Sequence, residues 1–442
     1  MRLLARILGG LLLAAVVLLV VLVASQVRSP YLAVWREEAL IGLPVLGAAV
    51  MVLGVGLWRG GSRLWALLAL AGLVIAALPP VLEWRFREQR AWVLSEAPQH
   101  KLERWSRHIV LGYTSFDEIR EVLERMELAG IYVTARNVQD RSVEEVRHEI
   151  KRLQAIQRAR RRPPLLVAAD QEGGPVSRLT PPLDQVAGLG QVACSPDWRG
   201  AVRAYAESKA RALRRLGVTM NLAPVVDLKL GTERTIDLHT NLDERAIAAA
   251  PGRVAEVAEL YSRTLWEGGV LATAKHFPGL GRVAQDTHHF TGQLDVPPRE
   301  LAIADWVPFE RLARAKHPVA IMVAHVVATR VDPKRVATVS EPLVDGVLRR
   351  KLGHRGLVIT DDLCMSPIVY SKGGMAARVV EAISAGVDLA LISFDPDQLY
   401  PLMAELTRLD RVPEQALAKS RARLRALRGR LAGLITPKRR LH

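Results

Sequence analysis

The hydrophobic pattern of this chain changes character near residue 90. Three long runs without a charged residue come first, and Arg or Glu residues bound each of them. The runs are residues 7–27, 39–58 and 64–82. Each is close to the length of about 20 residues with which a helix crosses the hydrocarbon core of a bilayer. We therefore expect a membrane region over residues 1–90 with three transmembrane helices, in which Trp58 and Trp84 form part of an interfacial aromatic belt.

The first apolar run also fits a secretory signal peptide. Arg2 and Arg6 precede the run, and Val23-Ala24-Ser25 offers a cleavage site. The run is long for a signal peptide, which favours an uncleaved anchor. With the amino terminus inside, three crossings place the rest of the chain outside the cytoplasm, and so does cleavage followed by two crossings.

From about residue 95, short apolar segments alternate with charged segments of helical period. The apolar segments are residues 108–113, 130–135, 164–169, 218–226, 270–275, 319–327, 356–360 and 387–393. Strands that each precede a helix predict the α/β class and a (β/α)8 TIM barrel over residues 95–435. A doubly wound open sheet is the alternative, but such a sheet would carry a glycine-rich phosphate loop after its first strand. This chain has Tyr113-Thr114-Ser115-Phe116 there.

The net charge and the cysteine content indicate which classes of ligand and partner this chain can bind. The formal net charge is +16, and the basic residues cluster in Arg85–Arg107, Arg147–Arg162 and Arg421–Arg440. The sequence has no nucleic-acid motif and no basic stripe interleaved with aromatic residues, so we expect no nucleic-acid partner. Anionic lipid headgroups or an anionic wall polymer fit this charge better. The two cysteines, Cys194 and Cys364, predict neither a disulfide framework nor a metal site.

Polar residues follow five of the predicted strands at the point where each strand ends. They are Asp170-Gln171-Glu172-Gly173-Gly174, Asp227, Lys275-His276, His325 and Asp361-Asp362. The carboxyl ends of barrel strands meet on one face, so these residues can contact one ligand although they lie far apart in the sequence. A single aspartate at a strand end is more often a helix cap. Five such ends together predict an active site.

Several of these segments carry a family resemblance. They are Asp170-Gln171-Glu172-Gly173-Gly174, Lys275-His276-Phe277-Pro278-Gly279, Asp286-x-His288 and Thr360-Asp361-Asp362-Leu363-x-Met365. In this order they resemble glycoside hydrolase family 3, and within it the single-domain bacterial β-N-acetylglucosaminidases. The resemblance covers nearly all of residues 100–400. It implies retaining hydrolysis of terminal β-linked N-acetylglucosamine, with a glycan substrate drawn from cell-wall peptidoglycan fragments.

The resemblance also implies the catalytic roles. Asp361 corresponds to the nucleophile, with the adjacent Asp362 as competitor for that role. His288 corresponds to the acid/base, which titrates near neutrality and can both donate and accept a proton. Asp286, two residues earlier, would orient its ring. His289 is the alternative histidine, but only His288 keeps the Asp-x-His spacing.

Residues that bind the sugar follow from the same resemblance. They are Asp170, Arg178, Arg245, Lys275 and His276. Carboxylates and guanidinium groups suit vicinal hydroxyls because they offer paired acceptors or donors in fixed geometry. The Arg245 assignment is the weaker one, since the family usually continues Arg-Ser-Phe and this chain continues with Ala246-Ile247. The mechanism requires no metal and no organic cofactor.

Departures from the family pattern cluster on the loop that precedes His288. The family commonly reads Gly-His-Gly-Asp-Thr where this chain has Leu280, Arg282 and Val283 after or between the glycines. Two alternatives therefore stay open beside an active N-acetylglucosaminidase: a family member with another sugar specificity, and a catalytically impaired membrane protein that binds glycan. Whether water or phosphate accepts the glycosyl group is also open. The expected location is the bacterial inner membrane, with the barrel on the periplasmic or extracellular side.

Overall fold

The computed structural model describes residues 2–58, 63–233, 240–409 and 413–435. The chain forms two compact units, Met1–Glu96 and Ala97–His442.

The first unit is helical over most of its described part. Its helices are Arg2–Ser25, the 3-10 helix Pro30–Trp35, Arg36–Leu57 and Arg63–Ser95. Two helical stretches, Pro30–Leu57 and Trp65–Ser95, are long and apolar enough to cross a membrane, and a shorter apolar helix covers Ala14–Ser25. The last helix is longer than the apolar run that predicted it, because it continues through the charged segment after residue 82. Length and composition alone make these helices candidates for crossing a membrane.

Small residues bring two of these helices together. A Cβ atom at Gly47 would lie 2.3 Å from the backbone nitrogen of Ala76, and one at Gly72 would lie 2.3 Å from that of Met51. Such close backbone approach requires glycine, and it is typical of helix pairs within membranes.

The second unit is a closed barrel of eight parallel strands. The strands are β1 (Ile109–Gly112), β2 (Gly130–Tyr132), β3 (Leu166–Ala169), β4 (Met220–Asn221), β5 (Leu271–Phe277), β6 (Ala320–Val323), β7 (Val358–Asp362) and β8 (Leu389–Ile392). They neighbour one another in sequence order, and β1 closes the barrel by pairing with β8, where Ile109 lies opposite Ala390. The predicted (β/α)8 fold is confirmed, and the open-sheet alternative is wrong.

The barrel strands alternate with helices and short turns of helix. The α-helices are Gln99–Ser106, Phe116–Arg125, Ala135–Val138, Val143–Ala159, Leu189–Ala193, Trp198–Leu216, Leu242–Arg245, Pro251–Glu267, Pro298–Ile303, Val307–Ala313, Ser366–Val369, Gly374–Ala385, Leu399–Leu406 and Glu414–Ile435. A π-helix covers Pro342–Lys351, and 3-10 helices cover Ala337–Val339 and Pro396–Gln398.

Two predicted strands differ from the observed ones at their carboxyl ends. The segment 218–226 contributes only the two residues of β4, and after it the chain contacts β5 through an isolated bridge between Val225 and Lys275. The segment 319–327 splits: β6 ends at Val323, and Val326–Ala328 leaves the barrel to pair with Gly292–Leu294. A second short pair, Gln171–Gly173 with Val176–Ser177, follows β3.

The apolar core closes the amino-terminal end of the barrel. Leu424 and Leu427 of the last helix belong to one buried cluster with Leu271 and Leu357, which lie at the starts of β5 and β7. The carboxyl ends of the strands are therefore left for polar residues.

At the amino-terminal end of the barrel, the Asp388 carboxylate accepts hydrogen bonds from three different segments of the chain. Asp388 is fully buried, and its carboxylate accepts hydrogen bonds from Arg349 at 2.7 Å, Arg423 at 2.7 Å and the Val358 backbone N–H at 2.8 Å. Removal of the carboxylate leaves two guanidinium groups without their buried partner.

We expect Asp388→Ala to lower the free energy of unfolding by about 3–5 kcal/mol, because breaking a buried ion pair leaves charge uncompensated. Asp345→Ala is the control, since Asp345 pairs with the largely exposed Arg350 at 3.2 Å, and it should cost about 1 kcal/mol or less. Urea denaturation of the full chain in a nonionic detergent, followed by circular dichroism, measures both. Equal losses in the two variants would contradict this account of Asp388.

Candidate active site

The carboxyl ends of five strands supply the candidate catalytic and binding residues. Asp170 follows β3, Asp227 follows β4, Lys275 and His276 lie within β5, His325 follows β6, and Asp361 and Asp362 end β7. This placement agrees with the expectation that strand ends meet on one face of a barrel.

Lys275 and Arg245 enclose a buried carboxylate. Lys275 Nζ lies 2.5 Å from Asp170 Oδ1 and 2.7 Å from Glu172 Oε1. Arg245 donates two hydrogen bonds to Glu172, one from Nε at 2.9 Å and one from its terminal nitrogen at 2.8 Å. The structure thus brings together three predicted sugar-binding residues, Asp170, Arg245 and Lys275, and adds Glu172.

The charges of this cluster stabilise one another. Burial raises the pKa of Glu172, but the positive charges of Arg245 and Lys275 lower it by more. The pKa of Glu172 therefore lies well below its usual range. Burial lowers the pKa of Lys275, but Asp170 and Glu172 raise it above its usual value. Glu172 and Lys275 are therefore both charged at neutral pH, and Asp170, whose side chain is 22% exposed, is the outermost carboxylate of the cluster.

Asp170 also contacts Tyr132 and the segment that carries Arg178. The Tyr132 hydroxyl donates to Asp170 Oδ2 at 3.0 Å, and the Arg178 backbone N–H donates to the Asp170 carbonyl at 3.0 Å. The Arg178 side chain is exposed, and within the described parts of the chain it makes no hydrogen bond or ion pair. Its guanidinium group is therefore available to a ligand, unlike that of Arg245.

The turn after β3 has tight packing. A Cβ atom at Gly173, whose φ is +94°, would lie 2.3 Å from the hydroxyl oxygen of Tyr205. That hydroxyl donates to the Glu172 carbonyl, and buried Lys209 donates to the carbonyls of Gln171 and Glu172. These contacts fix the backbone from which Asp170 and Glu172 project.

Asp227 orients His276. Its Oδ2 lies 2.6 Å from His276 Nδ1 and accepts the His276 backbone N–H at 3.1 Å. Its Oδ1 accepts the Leu280 backbone N–H at 2.7 Å. Since the carboxylate is buried, it fixes both the ring and the start of the next loop, and the Nε2 atom of His276 is the nitrogen left for a ligand.

Asp286 orients His288 in the same way. Asp286 Oδ1 lies 2.7 Å from His288 Nδ1 and accepts its backbone N–H at 3.0 Å, and the Thr240 hydroxyl donates to the same oxygen at 3.1 Å. The Asp286 side chain is 0% exposed and that of His288 is 40% exposed. The pair thus has a buried acceptor and a ring that reaches solvent.

The two adjacent carboxylates of β7 differ in their hydrogen bonds. Asp362 accepts from the Ser393 hydroxyl at 2.6 Å and from three backbone N–H groups, those of Cys364, Ser393 and Phe394. Among the described residues, Asp361 accepts only the Asp362 N–H, at 2.9 Å. Asp362 is therefore occupied in holding β7 to the end of β8, whereas Asp361 is open to a ligand.

Three histidines surround Asp361. Burial raises the pKa of this carboxyl, but His276, His325 and His288 lower it, and the pKa lies below its usual value. His325 is itself fully engaged, since Nδ1 contacts the Thr338 hydroxyl at 2.7 Å and Nε2 the Asp362 carbonyl at 3.1 Å. Asp361 is consequently an ionised carboxylate next to two imidazoles, those of His276 and His288, that can face a ligand.

The loop between His276 and His288 has contacts of its own where the chain departs from the family pattern. Arg282 Nε donates to buried Asp305 at 3.0 Å, and a Cβ atom at Gly279, whose φ is +118°, would lie 3.1 Å from the Cβ atom of Asp305. Leu280 and Val283 are buried. The loop is thus anchored by an ion pair and apolar contacts in place of the family's polar side chains.

The sequence did not assign four residues that this site uses. In the sequence, Glu172, Asp227 and His325 stand out only as polar residues at strand ends, and Tyr132 lies within a predicted strand. A signal existed for all four, since each stands at or just beyond the carboxyl end of a barrel strand. Within the described residues, no group of three His, Cys, Asp or Glu side chains could hold a metal ion.

Comparisons with known proteins agree with this geometry. The family model described as "Glycosyl hydrolase family 3 N terminal domain" matches residues 102–427. A β-hexosaminidase of Xanthomonas oryzae pv. oryzae is 35% identical over 278 residues, which cover 62% of this chain and 78% of that protein. A β-hexosaminidase of Alkalilimnicola ehrlichii is 34% identical over 317 residues, which cover 69% and 85%.

Among solved structures, a glycoside hydrolase family 3 β-N-acetylglucosaminidase from Paenibacillus sp. str. FPU-7 superimposes with a TM-score of 0.65. Its sequence identity with this chain is 29%, and the match covers 75% of this chain and 62% of that one.

We expect Glu172→Gln to lower the free energy of unfolding by about 3–5 kcal/mol at neutral pH, because Arg245 and Lys275 lose their shared buried anion. The folded-state pKa of Glu172 lies below its ordinary value of 4.5. The carboxylate therefore contributes stability above that pH, and this contribution is lost as the pH falls through the folded pKa. The difference between wild type and variant should shrink in acid. Denaturation at pH 7 and pH 3.5 measures it, and a difference that does not change with pH would contradict the ionised cluster.

Proposed function

Because the chain belongs to glycoside hydrolase family 3, as its motifs predict, we propose that it is a retaining exo-β-N-acetylglucosaminidase with Asp361 as nucleophile. The observation that carries this proposal is the difference between the two carboxylates of β7. Asp362 is saturated with donors, whereas Asp361 is ionised, open and surrounded by imidazoles. A retaining glycosidase requires as its nucleophile an ionised carboxylate that is free to attack the anomeric carbon.

His288 acts as acid and base in the proposed reaction. Asp286 accepts a hydrogen bond from Nδ1 of His288. This leaves Nε2 as the atom that exchanges a proton with the substrate. In the first step Asp361 bonds to the anomeric carbon while the leaving oxygen takes the Nε2 proton. In the second step His288 removes a proton from water, whose oxygen displaces Asp361 with overall retention.

The charged cluster binds the terminal sugar. Asp170 and Lys275 offer an acceptor and a donor side by side, and the guanidinium group of Arg178 has no partner among the described residues. His276 adds a ring whose orientation Asp227 fixes and whose Nε2 atom faces the ligand. Arg245 binds Glu172 along one edge of its guanidinium group, and its other terminal nitrogen donates to the Thr240 carbonyl, so its role is to hold Glu172 in place beside Lys275.

The proposed substrate is terminal β-linked N-acetylglucosamine in cell-wall peptidoglycan fragments. The names of the relatives from Xanthomonas oryzae and Alkalilimnicola ehrlichii, both β-hexosaminidases, support the sugar. The apolar helices before residue 90 support an anchor in the bacterial inner membrane, and the barrel over residues 95–435 forms the catalytic domain on the outer side.

We expect Asp361→Asn to lower kcat at least about a thousandfold on any β-N-acetylglucosaminide, because no other group can form the glycosyl-enzyme. His288→Ala should lower kcat/KM for N,N′-diacetylchitobiose by about 10²–10⁴, since its leaving group needs a proton. The loss should be much smaller for a dinitrophenyl glycoside, whose leaving group does not. Steady-state kinetics of the full chain in detergent measure these values.

His289→Ala is the matched control and should leave both substrates within a few-fold of wild type, because His289 lacks the Asp-x-His spacing. Equal losses for both substrates in His288→Ala would contradict its role as acid. Wild-type protein that binds N-acetylglucosamine oligomers without cleaving any aryl glycoside would establish a glycan-binding protein. Turnover of another glycoside only would establish a different specificity.

Labelling of the two cysteines tests the proposed topology, in which the barrel lies outside the cytoplasm. Cys194 is exposed and Cys364 is buried. In intact spheroplasts, we expect a membrane-impermeant maleimide to label the wild-type chain and to leave Cys194→Ser unlabelled. Labelling that appears only after lysis would place the barrel in the cytoplasm.

A further inference from the structure

A cavity of about 620 Å³ opens at the end of the barrel opposite the catalytic residues. It lies beside the starts of β5 and β7, the segment that precedes β6, and one face of the helix Glu414–Ile435. Its volume is within the range of about 300–1,000 Å³ that is typical of small-molecule sites. The reaction proposed for the carboxyl ends of the strands does not use this cavity.

The charge that lines the cavity is of one sign. Four arginines, Arg314, Arg355, Arg423 and Arg430, contribute to its wall, and none of its described lining residues is an aspartate or a glutamate. His317 also lines it, and burial lowers the pKa of this histidine to about 4, so the arginines supply the positive charge.

The four arginines differ in their existing partners. Arg423 contacts Asp388 at 2.7 Å, and Arg314 contacts Glu310 at 2.7 Å. Arg355 and Arg430 are exposed, and neither forms an ion pair with any described carboxylate. The Arg430 guanidinium lies 5.6 Å from the centre of the Trp266 ring, within the range of a cation–π contact. Two guanidinium groups at the cavity are therefore available to an anion.

Apart from His354, the rest of the lining is apolar. Leu271, Leu357 and Leu427 belong to the buried core and also face the cavity. A planar guanidinium fork matches the oxygens of a phosphate in bidentate geometry. An apolar wall next to such forks accommodates the carbon atoms that a phosphate ester carries.

From these observations we propose that the cavity binds a phosphate ester through Arg355 and Arg430. The ester group can come from an anionic phospholipid headgroup or from a free sugar or glycerol phosphate, which share this chemistry. The site is independent of the proposed glycosidase reaction, so the failure of either proposal leaves the other standing.

The experiment uses the full chain in nonionic detergent with two probes. Titration calorimetry measures the binding of sn-glycerol 1-phosphate, and native mass spectrometry measures bound phosphatidylglycerol against phosphatidylcholine. We expect Arg355→Ala and Arg430→Ala each to weaken binding at least about tenfold, because each removes a hydrogen bond to a charged group. Both residues are exposed, so thermal unfolding should not change.

Arg425→Ala is the control, since Arg425 is an exposed arginine of the same helix that does not line the cavity. Binding of glycerol phosphate that only the two cavity variants weaken supports the site with a free ester as its source. Binding of phosphatidylglycerol alone, with the same variant pattern, supports a headgroup. If neither probe binds, the proposal is overturned. It is also overturned if Arg425→Ala weakens binding as much as the two cavity variants do.

Discussion

A charge withdrawn from water must be matched by an opposite charge or by several donors, and this constraint organises the carboxyl end of the barrel. The matched sets are Glu172 with Arg245 and Lys275, Asp227 with His276, Asp286 with His288, and Asp362 with Ser393 and three backbone N–H groups. Asp361 differs from the other carboxylates, because only one backbone N–H among the described residues donates to it and nearby imidazoles supply the remaining favourable interactions. The same constraint that holds the other groups in place leaves this carboxylate available for bond formation.

The matched pairs also couple the site to the fold. Arg245 and Glu172 are 73 residues apart in the sequence, and Lys275 and Asp170 are 105 apart. These contacts form only when the strands of the closed barrel are in register. The site is therefore assembled by the same packing that pairs β1 with β8 and buries Asp388 at the opposite end. The loop before His288 follows the same rule, since Arg282 pairs with the buried carboxylate of Asp305.

The sequence predicted the barrel because its apolar segments are short, regularly spaced and separated by charged helical segments. It did not predict that β4 stops at Asn221 or that Val326–Ala328 leaves the barrel, because those ends depend on hydrogen bonds to other segments. For the site, motifs identified residue types at strand ends. The pairing of Glu172 with Arg245, and the saturation of Asp362 by donors, depend on distances across the barrel that no local pattern contains.

The central claim is that Asp361 forms the covalent intermediate, and peptide mass spectrometry tests it most directly. The full chain would be quenched during reaction with a fluorinated N-acetylglucosaminide that slows hydrolysis of the intermediate. The account predicts a glycosyl adduct on Asp361, absent from Asp361→Asn and present in His289→Ala. An adduct on Asp362, or turnover with inversion and no adduct, would contradict it.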